Sequence, residues 1–210
     1  MCIPNGNCCT AADCPLTLRA SATQCLSGAC RVAACQSGSV DVNSAYSDGC
    51  ECLDSPTAKT CGAATALGTL GIGASLNRTG VLPLAGGENW FVVTFTGNGS
   101  TSYHPRIQIS ASGGDALRFD VLTSCAGGGL PCSVEGGSST NRTIWEVQYA
   151  NGSPSGIGCG SATTPCNSTC VCTSPFQPIP PVGNNGTVFI RVFRASGAVT
   201  CNAYTLTVAN

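Results

Sequence analysis

Charge is scarce in this 210-residue chain: only 9% of its residues are Asp, Glu, Lys or Arg, and the formal net charge is −1. Lys59 is the sole lysine and His104 the sole histidine. Without a basic patch there is no electrostatic footprint for nucleic acid and no attraction to anionic membranes. Long apolar runs are missing too. None approaches the ~20 residues needed to cross a bilayer, so no membrane span is expected. Met1 is followed at once by Cys2 and Pro4, without a charged or apolar leader region. The expectation is a mature or trimmed product, with no lipid anchor at Cys2.

Residue types that carry catalysis are equally sparse. A Ser-His-Asp triad would have to use His104, which stands in Tyr103-His104-Pro105, and no G-x-S-x-G elbow is present. A histidine before proline at the start of a strand reads as structural. Among the ten acidic residues, Glu88, Asp115, Asp120, Glu135 and Glu146 fall in the later part of the chain. Nothing in their spacing sets two of them face to face as an acid–base pair. The chain is therefore expected not to be an enzyme.

Cysteine is what the chain has in quantity, with 17 residues. Cytosolic reductants would keep such thiols reduced, so this density implies an oxidising compartment and a secreted, extracellular or cell-surface location. Ten cysteines come early: Cys2, Cys8, Cys9, Cys14, Cys25, Cys30, Cys35, Cys50, Cys52 and Cys61. This segment, 1–61, has almost no apolar periodicity and must be held by its bridges. Short hairpins and loops are expected there, with no helix beyond a turn or two. Cys50-x-Cys52, Cys166-x3-Cys170 and Cys170-x-Cys172 lack the C-x2-C spacing of zinc sites, so disulfides are expected instead.

From about Thr65 the pattern becomes that of strands. Trp90 to Phe95 is rich in aromatic and β-branched residues, between turn signals at Gly86-Gly87 and Gly97-Asn98-Gly99. Arg106 to Ser110 alternates, placing Ile107 and Ile109 on one face. Leu117 to Leu122 places Leu117, Phe119 and Val121 inward. Thr143–Tyr149, Val188–Phe193 and Tyr204–Val208 continue the series. The expected fold is all-β: a β-sandwich or jelly roll over 62–210, preceded by a disulfide-stapled, loop-rich N-terminal segment. A Pro-, Gly- and Cys-rich loop at 150–183 interrupts it, with Cys159, Cys166, Cys170 and Cys172 forming two local bridges and Gln177 to Pro181 extended and polyproline-like.

The order of Gly80-Val81-Leu82, Asn89-Trp90-Phe91, Phe119-Asp120-Val121, Ile190-Arg191-Val192 and a closing Tyr204 to Val208 resembles the bacterial pre-peptidase C-terminal domain. That family is a β-sandwich appended to secreted hydrolases and surface proteins, and the resemblance implies a binding or secretion role over about Thr65–Asn210. The first segment, with Cys25, Gly28, Cys30, Cys35, Gly38, Asp41 and Asp48-Gly49-Cys50-Glu51-Cys52, is similar to cysteine-rich stalk segments of delta-type, myxobacterial secreted proteins.

Bridge partners follow from chain order as expectations. Cys61 precedes the first sandwich strand and Cys201 the last, so a long-range Cys61–Cys201 bridge is expected. Cys125 is then left to Cys132, and the odd, unpaired thiol falls in the first segment. Six sequons, at Asn77, Asn98, Asn141, Asn151, Asn167 and Asn185, fit N-x-[ST], and glycans are expected on turns at two or more of them, first of all at Asn77, Asn98 and Asn185. Trp90 and Trp145 could stack on sugar rings if exposed, although on strands with alternating apolar partners such residues are more often core, at least in part. Asp41, Asn43, Asp48 and Glu51 supply oxygen donors within eleven residues and form a candidate calcium site, although Ala45 and Tyr46 stand where an EF-type loop needs a ligand and a glycine. No other cofactor is expected.

Together these features point to a non-catalytic extracellular structural protein, a self-assembling subunit of a surface filament or layer. The alternative is an adhesion module that binds carbohydrate or protein at a cell surface.

Overall fold

A computed structural model describes residues 8–97, 105–111, 113, 115–127, 140–149, 156–158, 169–170, 177–178, 185–196 and 200–210. The strands are β1 (Ala20–Leu26), β2 (Ala29–Cys35), β3 (Ser39–Val40), β4 (Cys52–Leu53), β5 (Thr65–Leu70), β6 (Ser75–Val81), β7 (Glu88–Thr96) and β8 (Arg106–Ala111). They continue with β9 (Ala116–Leu122), β10 (Ile144–Tyr149), β11 (Gly156–Gly158), β12 (Thr169–Cys170), β13 (Gln177–Pro178), β14 (Asn185–Ser196) and β15 (Ala203–Ala209). The longest helical pieces among the described residues are two short 3-10 turns, Ala11–Asp13 and Cys61–Ala63. The fold is all-β, and among the described residues no helix is long and apolar enough to cross a membrane.

The chain divides into two compact units. One comprises Met1–Pro56, Val81–Ala85 and Ala198–Asn202; the other comprises Thr57–Gly80, Gly86–Gly197 and Ala203–Asn210. The first unit thus gathers two short segments from far along the chain, which the simple 1–61 and 62–210 division does not anticipate.

The first unit has little apolar material to bury. Its buried hydrophobic side chains are Cys8, Cys14, Cys50, Cys52, Ala20 and Leu82, so sulfur supplies most of its core. Disulfides join Cys8–Cys25, Cys14–Cys30 and Cys35–Cys50, and Cys52–Cys201 fastens the β4 segment to the Ala198–Asn202 segment. The β1–β2 hairpin turns at Ser27 and Gly28, both with positive φ, and β3 pairs with β4. Gly49 packs directly on the backbone of Leu18, where Cys50 N donates to Leu18 O; a Cβ at Gly49 would run into that backbone. Asp13 accepts from Cys9 N and Thr10 N at 2.8 Å each, and these bonds hold its carboxyl below the usual carboxylate range.

The second unit holds the sandwich. One sheet runs β5-β7-β14-β9, with β5 parallel to β7 and the other neighbours antiparallel. The other runs β13-β11-β10-β8-β15-β6, with β12 beside β10. Period-two alternation sends Phe91, Val93 and Phe95 of β7, Leu117, Phe119 and Val121 of β9, and Val188, Ile190 and Val192 of β14 inward. Ile107, Ile109, Trp145, Tyr204, Leu206 and Val208 answer from the other sheet. Burying each large aliphatic or aromatic side chain contributes about 1.5–3 kcal/mol, which makes this core the main source of stability in the unit. The extended Gln177–Pro178 pair is the short strand β13, opposite β11.

Candidate functional site

The acidic loop expected to bind a cation is well formed. Asn43 Nδ2 donates to Asp48 Oδ2 at 2.7 Å, and Val42 N donates to Glu51 Oε1 at 3.1 Å. Ser44 N donates to Asp41 Oδ1 at 2.6 Å, and Ala45 N to Asn43 Oδ1 at 2.7 Å. The loop therefore folds back on itself and draws Asp48 toward Asn43 and Glu51 toward Val42. Its last residues are pinned by Gly49 against Leu18 and by the flanking Cys35–Cys50 and Cys52–Cys201 bridges. Tyr46 Oη donates to Pro15 O and fixes the middle of the loop.

Neither tryptophan offers an open ring face, which corrects the sugar-stacking expectation. Trp145 sits opposite Ile107 on an inward position and is 1% exposed. Trp90 points away from the core but is covered. Arg191 Cζ lies 6.0 Å from the Trp90 ring centroid, and Trp90 Nε1 donates to Glu88 Oε2 at 2.8 Å. The same guanidinium lies 4.9 Å from the Phe193 ring, donates through Nε to Asp120 Oδ2 at 2.8 Å, and pairs with Glu88 Oε1 at 3.1 Å. Register explains the cluster, because Trp90, Arg191 and Asp120 are direct cross-strand partners on β7, β14 and β9. Asp115 pairs with Arg194 at 3.3 Å. Three of the five acidic candidates in this part of the chain are thus neutralised by arginine. Glu135 and the side chain of Glu146 lie outside the described residues, as does His104.

The disulfides depart from the order-based expectation. Cys61 bonds to Cys125 and Cys201 to Cys52, with Cα–Cα distances of 5.5 and 5.3 Å. Both lie in the range that a bridge requires. The reason is topological: β5, which follows Cys61, and β15, which follows Cys201, lie in different sheets. Cys125 is consequently not available to Cys132. Cys9 is also disulfide-bonded, so every described cysteine from Cys8 to Cys61 is bonded and none of these is the odd thiol. Cys2, Cys132, Cys159, Cys166 and Cys172, and the side chain of Cys170, lie outside the described residues.

Of the sequons, Asn77 is exposed on β6 and Asn141 is exposed in a left-handed turn with φ 59°. Asn185 begins β14, opposite Thr96. Asn98, Asn151 and Asn167 fall outside the described residues.

The sheet edges differ in how they are guarded. The outer side of β9 is closed by Arg142 and Phe119, which exchange two backbone hydrogen bonds of 2.8 Å, while Asn141 N donates to Asp120. β6 ends its sheet and carries the exposed Asn77, Arg78 and Thr79. β5, reading Thr65-Ala66-Leu67-Gly68-Thr69-Leu70, ends the four-stranded sheet without a charge, and no described strand pairs with its outer side. Of the arginines, Arg78 stands on β6 and none stands on β5. A bulge at Leu67, with Gly68 at φ 89°, interrupts the β5–β7 register and is the one protective device on that edge among the described residues.

Comparison with family models, with curated proteins and with solved structures finds no match to the chain.

Proposed function

We propose that the chain is a non-catalytic extracellular structural protein that assembles with copies of itself into a filament or layer. The observation that carries this reading is the β5 edge. It is uncharged, unpaired among the described residues and backed by a packed sandwich, and such an edge is a template for strand addition between chains. Two other features support it. The disulfide framework suits a durable protein in an oxidising compartment. The cysteine-rich unit leaves Leu16, Leu18, Leu26, Leu53 and Leu84 between 48% and 64% exposed, apolar surface that a neighbouring subunit would cover.

On this reading β6 is the guarded edge, with Arg78 and a glycan on Asn77 keeping it open to water, and β5 is the edge that associates. The resemblance to the pre-peptidase C-terminal domain belongs to the same proposal. Negative-stain imaging of concentrated native, unreduced protein tests it. Filaments or sheets are expected, and a uniform field of isolated particles at every concentration would count against it.

A further inference from the structure

We infer that β5 pairs with β5 of a second copy, antiparallel, across a two-fold axis at Thr69. The inference rests on the proposed self-assembly and names the geometry of its first contact. Strand addition needs an open edge from each copy. Few of the described strands offer one. β6 carries the exposed Asn77, Arg78 and Thr79, and the outer side of β9 is occupied by Arg142 through its two bonds with Phe119. β12 and β13 have two residues each, and Pro178 in β13 has no N–H to donate.

The cysteine-rich unit adds no comparable edge. β3 and β4 have two residues each, and β2 carries Arg31. β1 has no charge, but its register with β2 shifts twice and the 8–14 segment is fastened to it. Cys8 is bonded to Cys25 there, and Thr23 Oγ1 donates to Cys14 O at 2.5 Å. Among the described residues, then, the open β5 edge has no complement except β5 itself. When both copies offer the same strand the contact is isologous, and the two-fold axis sets the strands antiparallel.

Burial fixes the register. Leu67 and Leu70 are buried, whereas Ala66, Gly68 and Thr69 are exposed. The bulge between Ala66 and Gly68 leaves residues 68–70 as the regular run that ends the strand. An axis at Thr69 sets Thr69 opposite Thr69 and Gly68 opposite Leu70, so positions on the core side of one copy meet positions on the core side of the other. A slip of one residue would set Leu70 against the exposed side of the second copy. Leu70 O already accepts from Asn210 Nδ2 at 2.8 Å, which assigns the exchange across the axis to the N–H and C=O of Thr69. So short a contact is weak and forms at high protein concentration. It also closes on itself, because each copy spends its open edge. Growth into a filament or layer then uses a second surface, and the exposed leucines of the cysteine-rich unit supply one.

Thr69→Lys and Thr69→Glu, alone and mixed, test the axis by sedimentation velocity of the full oxidised chain. Each variant alone sets like charges against each other and should associate at least about threefold more weakly than the parent. In an equimolar mixture opposite charges meet across the axis, and the lost association should return. Where β5 meets any other surface the two substituted positions never face each other, and the mixture behaves as the sum of its parts. That result, with a parent chain that associates, overturns the two-fold axis and leaves self-assembly standing. A parent chain that stays monomeric overturns both. Hydrogen exchange on the parent chain needs no variant and gives a second readout. The β5 amides should gain protection as concentration rises, and the β6 amides should not. Equal gains on β5 and β6 would show a head-to-tail contact and overturn the inference.

Discussion

Asn89 Nδ2 donates to Tyr204 Oη at 2.7 Å, and this bond joins β7 of one sheet to β15 of the other inside a core where both residues are at most 1% exposed. Lys59 Nζ reaches Asn89 Oδ1 at 2.7 Å, so both ends of the buried amide are satisfied. Gly80 lies against the Tyr204 ring, and a Cβ there would stand 2.5 Å from Oη. The polar link and the missing side chain are therefore one device: the glycine makes the space in which the tyrosine meets the asparagine.

Removing the hydroxyl with Tyr204→Phe leaves a buried N–H without its acceptor, and should lower stability by about 1–3 kcal/mol. Gly80→Ala should cost a similar amount, about 1–3 kcal/mol, by overpacking against the ring. Because the two residues are in contact, the double variant should depart from additivity. Chemical denaturation of the oxidised protein measures all three. Independent, additive effects would show that the ring and the glycine are not coupled.

Cys52–Cys201 spans 149 residues of sequence and closes the longest loop among the described bridges. Replacing both cysteines by alanine should cost about 2–5 kcal/mol, through the entropy returned to the unfolded chain. A non-reduced digest should recover Cys52–Cys201 and Cys61–Cys125 as linked peptides. Recovery of Cys61 linked to Cys201 would contradict the arrangement.

Asp120 accepts from Arg191 and from Asn141 N, and its side chain is 3% exposed. Asp120→Ala should cost about 1–3 kcal/mol, because it strips one carboxylate from a guanidinium that retains Glu88 and contact with water. It should also loosen the 141–143 segment that closes the β9 edge. Hydrogen exchange at the Phe119 and Arg142 amides reads that loosening; unchanged protection would mean that the carboxylate does not hold the segment.

Most of the sandwich was legible because its strands obey a simple alternation. Ile107 with Ile109, and Leu117 with Phe119 and Val121, announce which face is buried. β5 was not legible, since Ala66, Gly68 and two threonines give too weak an apolar signal for an edge strand. The Arg191 cluster was hidden for another reason. Asp120 and Arg191 are 71 residues apart, and only the strand register sets them side by side. The same blindness to topology misassigned the Cys61 and Cys201 partners. The acidic loop could be found because its residues are local in sequence. The burial of Asp48 Oδ1 and Glu51 Oε2 without a hydrogen-bond partner could not, because burial depends on the whole unit.

The Asp13 carboxyl is held below the ordinary aspartate value of 3.8 by the bonds from Cys9 N and Thr10 N. A folded pKa below the unfolded one means that the carboxylate stabilises the turn above about pH 4 and loses that contribution as the pH falls through the folded value. NMR titration of the Asp13 carboxyl should therefore give a midpoint below 3.8. A midpoint at or above that value would show that the two amide bonds do not form in solution.

Sedimentation velocity of native, unreduced protein over a hundredfold concentration range tests self-assembly most directly. The parent chain should show species larger than the 21.0 kDa monomer that grow with concentration. Thr69→Lys, which puts a charge on the open β5 edge, should shift the distribution back toward the monomer, and Thr79→Lys on the already guarded β6 should not. A single monomeric boundary at all concentrations for the parent chain would contradict the account.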